Sequence, residues 1–111
     1  MILLPPGIKV FITSKPVDMR KSHDGLAAVI QTVFRQDIFK GHLFVFFSKA
    51  RDRVKIFYWD SNGYSLWYKR LEKGRFTLPR IPGELYSVSP QEFGLLLEGI
   101  DLTHQQQLRA L

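Results

Sequence analysis

The chain contains no cysteine among its 111 residues. That excludes a disulfide framework, a thiolate nucleophile and any cysteine-bound metal. Histidine is scarce, and His23, His42 and His104 show no metal-ligand spacing. Gly25, Gly41, Gly63 and Gly74 stand apart from one another, so no phosphate-cradling glycine loop is present. No apolar run approaches the roughly 20 residues needed to cross a bilayer. The opening MILLPPGIKVFIT is broken by Pro5, Pro6 and Gly7 and lacks a basic start or a small-residue cleavage site, so no secretory leader is expected. The expectation is a cytoplasmic protein with no membrane partner. Acidic residues are also in the minority. A two-metal nuclease needs several carboxylates converging on its ions, whereas Asp18, Asp24, Asp52 and Asp60 read as a cap, a helix-surface residue, a loop ion pair and a turn residue. No catalytic residue, metal or cofactor is expected, and the chain reads as a non-enzyme.

What is present is positive charge in one place. The net charge is +6. Nine Lys/Arg face three Asp/Glu between residues 49 and 80, while residues 81–111 carry one base and four acids. A local excess of that kind suits a polyanion such as nucleic acid. With 45% hydrophobic residues and 14% aromatics, the chain has the material for a core, so disorder is not expected. Its length fits a single domain over 1–111, with 103–111 as a loose polar tail.

The elements follow from pattern. Ile8–Thr13 is β-branched and aromatic between Pro-Pro-Gly and Ser-Lys-Pro, which predicts a first strand. A helix over 19–34 follows, capped by Asp18, with Gly25 marking either a break near 18–23 or a close approach to a sheet. Leu43–Phe47 (LFVFF) predicts a strand buried on both sides. Arg53–Asp60 and Tyr64–Arg70 flank Ser61-Asn62-Gly63, a hairpin signal, and Arg75–Leu78 adds a short strand. Ser89-Pro90-Gln91-Glu92 is a capping box with proline at the first helical position, and Gly99 is placed to end that helix. The fold class indicated is α+β: a small, mostly antiparallel sheet of about four or five strands with two helices.

Loop length at the hairpin decides which side chains share a face. A two-residue Asn62-Gly63 turn sets Lys55, Phe57 and Trp59 beside Leu66, Tyr68 and Arg70. A three-residue loop sets them beside Trp67 and Lys69 and sends Leu66 and Tyr68 to the core. The second separates an aliphatic face from a face of cations interleaved with rings, and it is the favoured expectation. Candidate nucleic-acid-binding residues are then Lys49, Arg51, Arg53, Lys55, Lys69, Arg70, Lys73 and Arg75 for phosphates. Trp59 and Trp67 are the stacking platforms. The competing readings are a solvated edge that discourages strand addition and a surface for an acidic protein.

Three blocks give these residues a kinship: PVDMRKSHDGLAAVIQ at 16–31, GHLFVFFSKARDRVKIFYWDSNGYSLWYKRLEKGRF at 41–76, and LLLEGID at 95–101. Together, in that order, they resemble the small TnpB-type accessory protein encoded by the second open reading frame of bacterial transposable elements of the insertion sequence 66 type. Where that family carries a denser arginine cluster, this chain has Ser-Lys-Ala-Arg at 48–51. The resemblance implies an accessory part in transposition, with strand cleavage left to a separate transposase. The expected function is a non-catalytic factor that binds DNA, at transposon ends, through the basic hairpin and helps assemble the transposase complex. The alternative is a module that binds the transposase without touching DNA.

Overall fold

Alternation, burial and capping set six strands and two helices in a computed structural model that describes residues 7–78 and 85–98, together with the backbone of 109–110. The strands are β1 (Val10–Thr13), β2 (Leu43–Phe47), β3 (Arg53–Asp60), β4 (Gly63–Arg70), β5 (Leu85–Val88) and β6 (Arg109–Ala110). Their order is β4-β3-β2-β1-β5-β6, so β4 is an edge and β2 is interior. Only β1–β2 is parallel; the remaining pairings are antiparallel. The fold is α+β, as the pattern indicates. β5 escaped the sequence reading, and the tail residues Arg109–Ala110 pair with it. The expected helix stop at Gly99 and the tail 103–108 lie outside the described residues.

The sheet is covered on both faces. On one side Val10, Ile12, Val45, Val54 and Ile56 pack with Phe76, Leu78, Phe93 and Leu96. On the other Phe11, Phe44, Phe46 and Phe57 pack with Leu26, Ile30, Phe34 and Ile38. Five consecutive buried residues in β2 are the consequence.

The covering helices are α1 (His23–Val29) and α2 (Pro90–Leu97). α2 starts with the expected capping box: Ser89 Oγ accepts from Glu92 N–H and Glu92 Oε1 accepts from Ser89 N–H. The first helix is shorter than 19–34. It begins after Ser22, and from Ile30 to Phe34 it widens into a π-turn closed by Arg35 N–H on Ile30 C=O. Asp18 does not cap it. Residues 18–21 form a separate turn, Lys21 N–H to Asp18 C=O at 3.0 Å, and the Asp18 carboxylate accepts from Arg20 instead. Gly25 stands beside that break, since a Cβ there would come within 3.3 Å of Lys21 Cβ.

The hairpin register departs from both expectations, keeping the faces of the two-residue turn but placing that turn at Ser61-Asn62 rather than Asn62-Gly63. Asp60 pairs with Gly63, leaving a two-residue loop of Ser61 and Asn62, and Lys55 faces Tyr68, Phe57 faces Leu66 and Trp59 faces Tyr64. Ser61, not Gly63, takes the left-handed backbone, with φ 55. The physical reason is the second covered face. Ile56 and Val54 are needed against Phe76, Phe93 and Leu96, while Phe57 and Leu66 are needed against α1. A one-residue slip would exchange these sets. Residues 75–78 form no strand; Phe76 and Leu78 instead lie buried under the sheet.

Candidate nucleic-acid interface

The face of the hairpin that looks toward α1 changes character along its length. From the turn inward its cross-strand pairs are Trp59–Tyr64, Phe57–Leu66, Lys55–Tyr68 and Arg53–Arg70. Rings sit at the tip and cations at the mouth, where β3 begins and β4 ends. Lys55 and Trp59 are four residues apart, about 13 Å along the strand.

At the mouth, short polar contacts fix the loops. Ser48 Oγ donates to Asp52 Oδ1 at 3.0 Å and accepts the Arg53 N–H at 3.1 Å. Asp52 therefore serves a hydroxyl rather than the ion pair expected of it. Arg51, at φ 60, turns the chain. Its carbonyl accepts the Phe76 N–H and that of Asp52 accepts the Leu71 N–H, both at 2.7 Å. These bonds bring the exposed Lys73 and Arg75 to the same end of the sheet as Lys49 and Arg53. Nearby, Val17 N–H bonds the Phe47 carbonyl at 3.1 Å, so the 17–20 turn stands as a wall beside the hairpin.

Between that wall and the hairpin lies an open groove of about 560 Å³, lined by Asp18, Met19, Arg20, Lys49, Arg53, Lys55 and Tyr68 among others. Lys55 is only 9% exposed, and its ammonium donates to the carbonyls of Met19 (2.6 Å) and Lys21 (2.7 Å). It also sits 5.6 Å from the centre of the Tyr68 ring. Its proposed part as a phosphate contact is therefore corrected: Lys55 is a strut that ties the wall to the floor, because it is buried and two of its three N–H donors are held by carbonyls. Arg20 grips Asp18 through Nε and Nη2, with the shorter contact at 2.6 Å. Those hydrogen bonds hold the Asp18 carboxyl down at about 2.

The other candidates divide. Arg70 lies opposite Arg53 on the groove face, with an exposed 3.4 Å contact to Glu72. Lys69 pairs with Val54 and belongs to the opposite face. Arg51 acts electrostatically on the buried Tyr86 phenol, also on that opposite side. Among the described residues Lys49, Arg51, Arg53, Lys69, Lys73 and Arg75 pair with no carboxylate. The two tryptophans do not share the cations' surface. Trp67 packs on the core opposite the groove. Trp59 is held at the tip, 5.0 Å ring to ring from both Phe39 and Tyr64. The expected interleaving of cations and indoles is thus replaced by segregation along the ribbon. Tyr68 was missed because the favoured register buried it, and Arg20, which with Lys15 and Lys21 flanks the start of the expected helix, was set aside because Asp18 was read as that helix's cap.

At the tip, His42 accepts the Lys9 N–H on Nδ1 at 3.1 Å and meets Phe11 edge-on. Burial, and then the charges of Lys9 and Lys40, pull its pKa below 6.5. Among the described residues no three His, Asp or Glu side chains gather as a metal site, and no helix is long and apolar enough to cross a membrane.

No solved structure matches the chain. Two curated relatives, both uncharacterized proteins of Sinorhizobium fredii strain NGR234, align over most of their length. Protein y4jC is 37% identical over 97 residues, covering 87% of this chain and 83% of its own. Protein y4hO is 36% identical over 107 residues, covering 95% and 93%. The family described as IS66 Orf2-like protein matches residues 8–107. The chain therefore belongs to the IS66 Orf2-like family, whose members are transposition-associated accessory proteins and not known catalysts.

Proposed function

We propose that this protein is a non-catalytic factor for DNA transposition that binds DNA at the mouth of the β3–β4 hairpin and helps assemble the transposase complex in the cytoplasm. The observation that carries it is the Arg53–Arg70 pair, two guanidinium side chains directly opposite each other across the ladder. Like charges at such positions repel. Lys49 at the same groove and Lys73 and Arg75 beside it add to the repulsion, and an anion bridging them relieves it. DNA supplies phosphates at a matching density, and transposon ends are the DNA this family's process offers. Phosphate contacts fall to Lys49, Arg53, Arg70, Lys73 and Arg75, with Arg20 shared with Asp18.

The opposite end of the hairpin supports the second half of the reading. Phe39 is 58% exposed and leans on Trp59 and Tyr64. Aromatic clusters of this type anchor protein partners, and the transposase is the partner proposed. A gel-shift series from low to high salt tests the reading. Binding should fall with a log–log slope of about −4 to −5 if each of these five side chains neutralises a phosphate. No shift on any duplex or single strand at low salt would leave only the alternative, a module that meets the transposase alone.

A further inference from the structure

We infer that the groove takes an unpaired nucleotide of single-stranded DNA, its base stacked on Tyr68 and its flanking phosphates held by Arg53, Arg70 and Lys49. The inference rests on the DNA-binding reading above and narrows it.

The aromatic that accompanies the cations is Tyr68. It faces Lys55 across the ladder, lies two residues from Arg70 on the same strand face, and lines the groove with Arg53 and Lys49. Two residues along a strand is about 6–7 Å, close to the span from a base to the phosphate beside it. The ring is 49% exposed, where Phe57 on the same face is fully buried. Lys55 has one charge over the ring and two bonds into the wall, so the ring and the wall are held together before any ligand arrives.

A tyrosine floor flanked by cations is the arrangement that binds single strands: cations follow the backbone and a ring stacks on a base. Duplex DNA shows no free base face, because its bases are stacked on one another. A recess walled by residues 17–20 on one side and by Ser48–Lys49 at its end meets a base only where the strand is unpaired. Arg20 neutralises the one acid in the groove, Asp18, through two nitrogens, so the recess stays receptive to phosphate. Neither tryptophan serves this role, since Trp67 is on the opposite face and Trp59 is about 13 Å away.

The test titrates the full chain, by fluorescence anisotropy at low salt, into a labelled oligo-dT 20-mer and into a duplex of equal length. A second single strand carries a 2-aminopurine reporter. The single strand should bind at least about 10-fold more tightly than the duplex, and 2-aminopurine emission should fall on binding as the base stacks. Tyr68→Ala should weaken single-strand binding roughly 5- to 100-fold, leave duplex binding within about 2-fold, and be rescued by Tyr68→Phe. Circular dichroism checks folding; if Tyr68→Ala does not fold, Tyr68→Leu and the wild-type reporter signal carry the test. Equal affinity for the two DNAs, an unchanged reporter, or a Tyr68→Ala protein that binds like wild type overturns the stacking claim and leaves DNA binding intact. Absence of binding to either DNA overturns both.

Discussion

The two ends of one hairpin face show how a single alternating pattern serves two purposes. At the tip, Trp59 and Tyr64 close over Phe39 and Phe57, and the ladder is held by packing. At the mouth, Arg53 faces Arg70, and the ladder is held against repulsion by Lys55, Ser48 and the loop bonds. The tip resembles a protein core brought to the surface. The mouth resembles a site, because it sets two exposed guanidinium side chains opposite each other, where a bound anion would relieve their repulsion. Local departures from folding logic of this kind mark function more reliably than composition does.

Removing the tip should have the largest effect on stability and the least on DNA. Trp59→Ala is expected to cost about 2–3 kcal/mol, below the full value for a wholly buried indole. Chemical denaturation should show that loss while DNA affinity stays within about 2-fold. Equal losses in stability and in DNA binding would erase the distinction between the ends.

Lys55→Met sharpens the comparison, because it keeps the stem and removes the strut. The loss of two charge-assisted hydrogen bonds should cost about 2 kcal/mol. Unlike Trp59→Ala, it should also weaken single-strand binding, since the 17–20 wall loses its tie to the hairpin. A Lys55→Met protein with wild-type stability would remove the strut from the account.

Acid should separate the ends without mutation. His42, at the tip, has a folded pKa lowered by burial first, then by Lys9 and Lys40. The unfolded chain then binds a proton that the fold refuses, so this stability is present above about pH 6.5 and declines as pH falls through the folded pKa. Asp18, at the mouth, is lowered from 3.8 to about 2 by its hydrogen bonds with Arg20. Its contribution is present above about pH 4 and is lost toward pH 2. NMR titration should show His42 protonating below 6.5 while the Asp18–Arg20 contact persists to much lower pH.

The smallest expected effect concerns the turn. Ser61 holds a positive φ that costs an L-residue energy, whereas Gly63 is an ordinary strand residue with open space where a Cβ would go. Ser61→Gly should raise stability by up to about 0.5 kcal/mol, and Gly63→Ala should be tolerated. The reverse result would restore the turn to Asn62-Gly63.

That turn also shows where sequence reading stops. The capping box at Ser89–Glu92, the buried LFVFF strand and the two hairpin strands were legible, because each depends on neighbours in the chain. The register was not. It depends on Phe76, Phe93 and Leu96 arriving from distant segments to claim the second face, and nothing between residues 53 and 70 announces them. Once the register moves by one, Tyr68 passes from the assumed core to the groove and Lys69 leaves it. The basic cluster was visible as charge, but its division into a bonded strut, a groove pair and an opposite face required the fold. Asp18 was misread for a related reason: a cap and a turn acceptor use the same side chain, and only the break before α1 tells them apart.

Central to this account is that the facing arginines at the hairpin mouth are an anion site. The most direct measurement is DNA affinity as a function of salt for the wild type and for the Arg53→Ala/Arg70→Ala double variant, with denaturation curves alongside. The account predicts a wild-type slope of about −4 to −5, a slope shallower by about two in the double variant, and stability unchanged or raised as repulsion disappears. A double variant that binds DNA with the wild-type slope would contradict it.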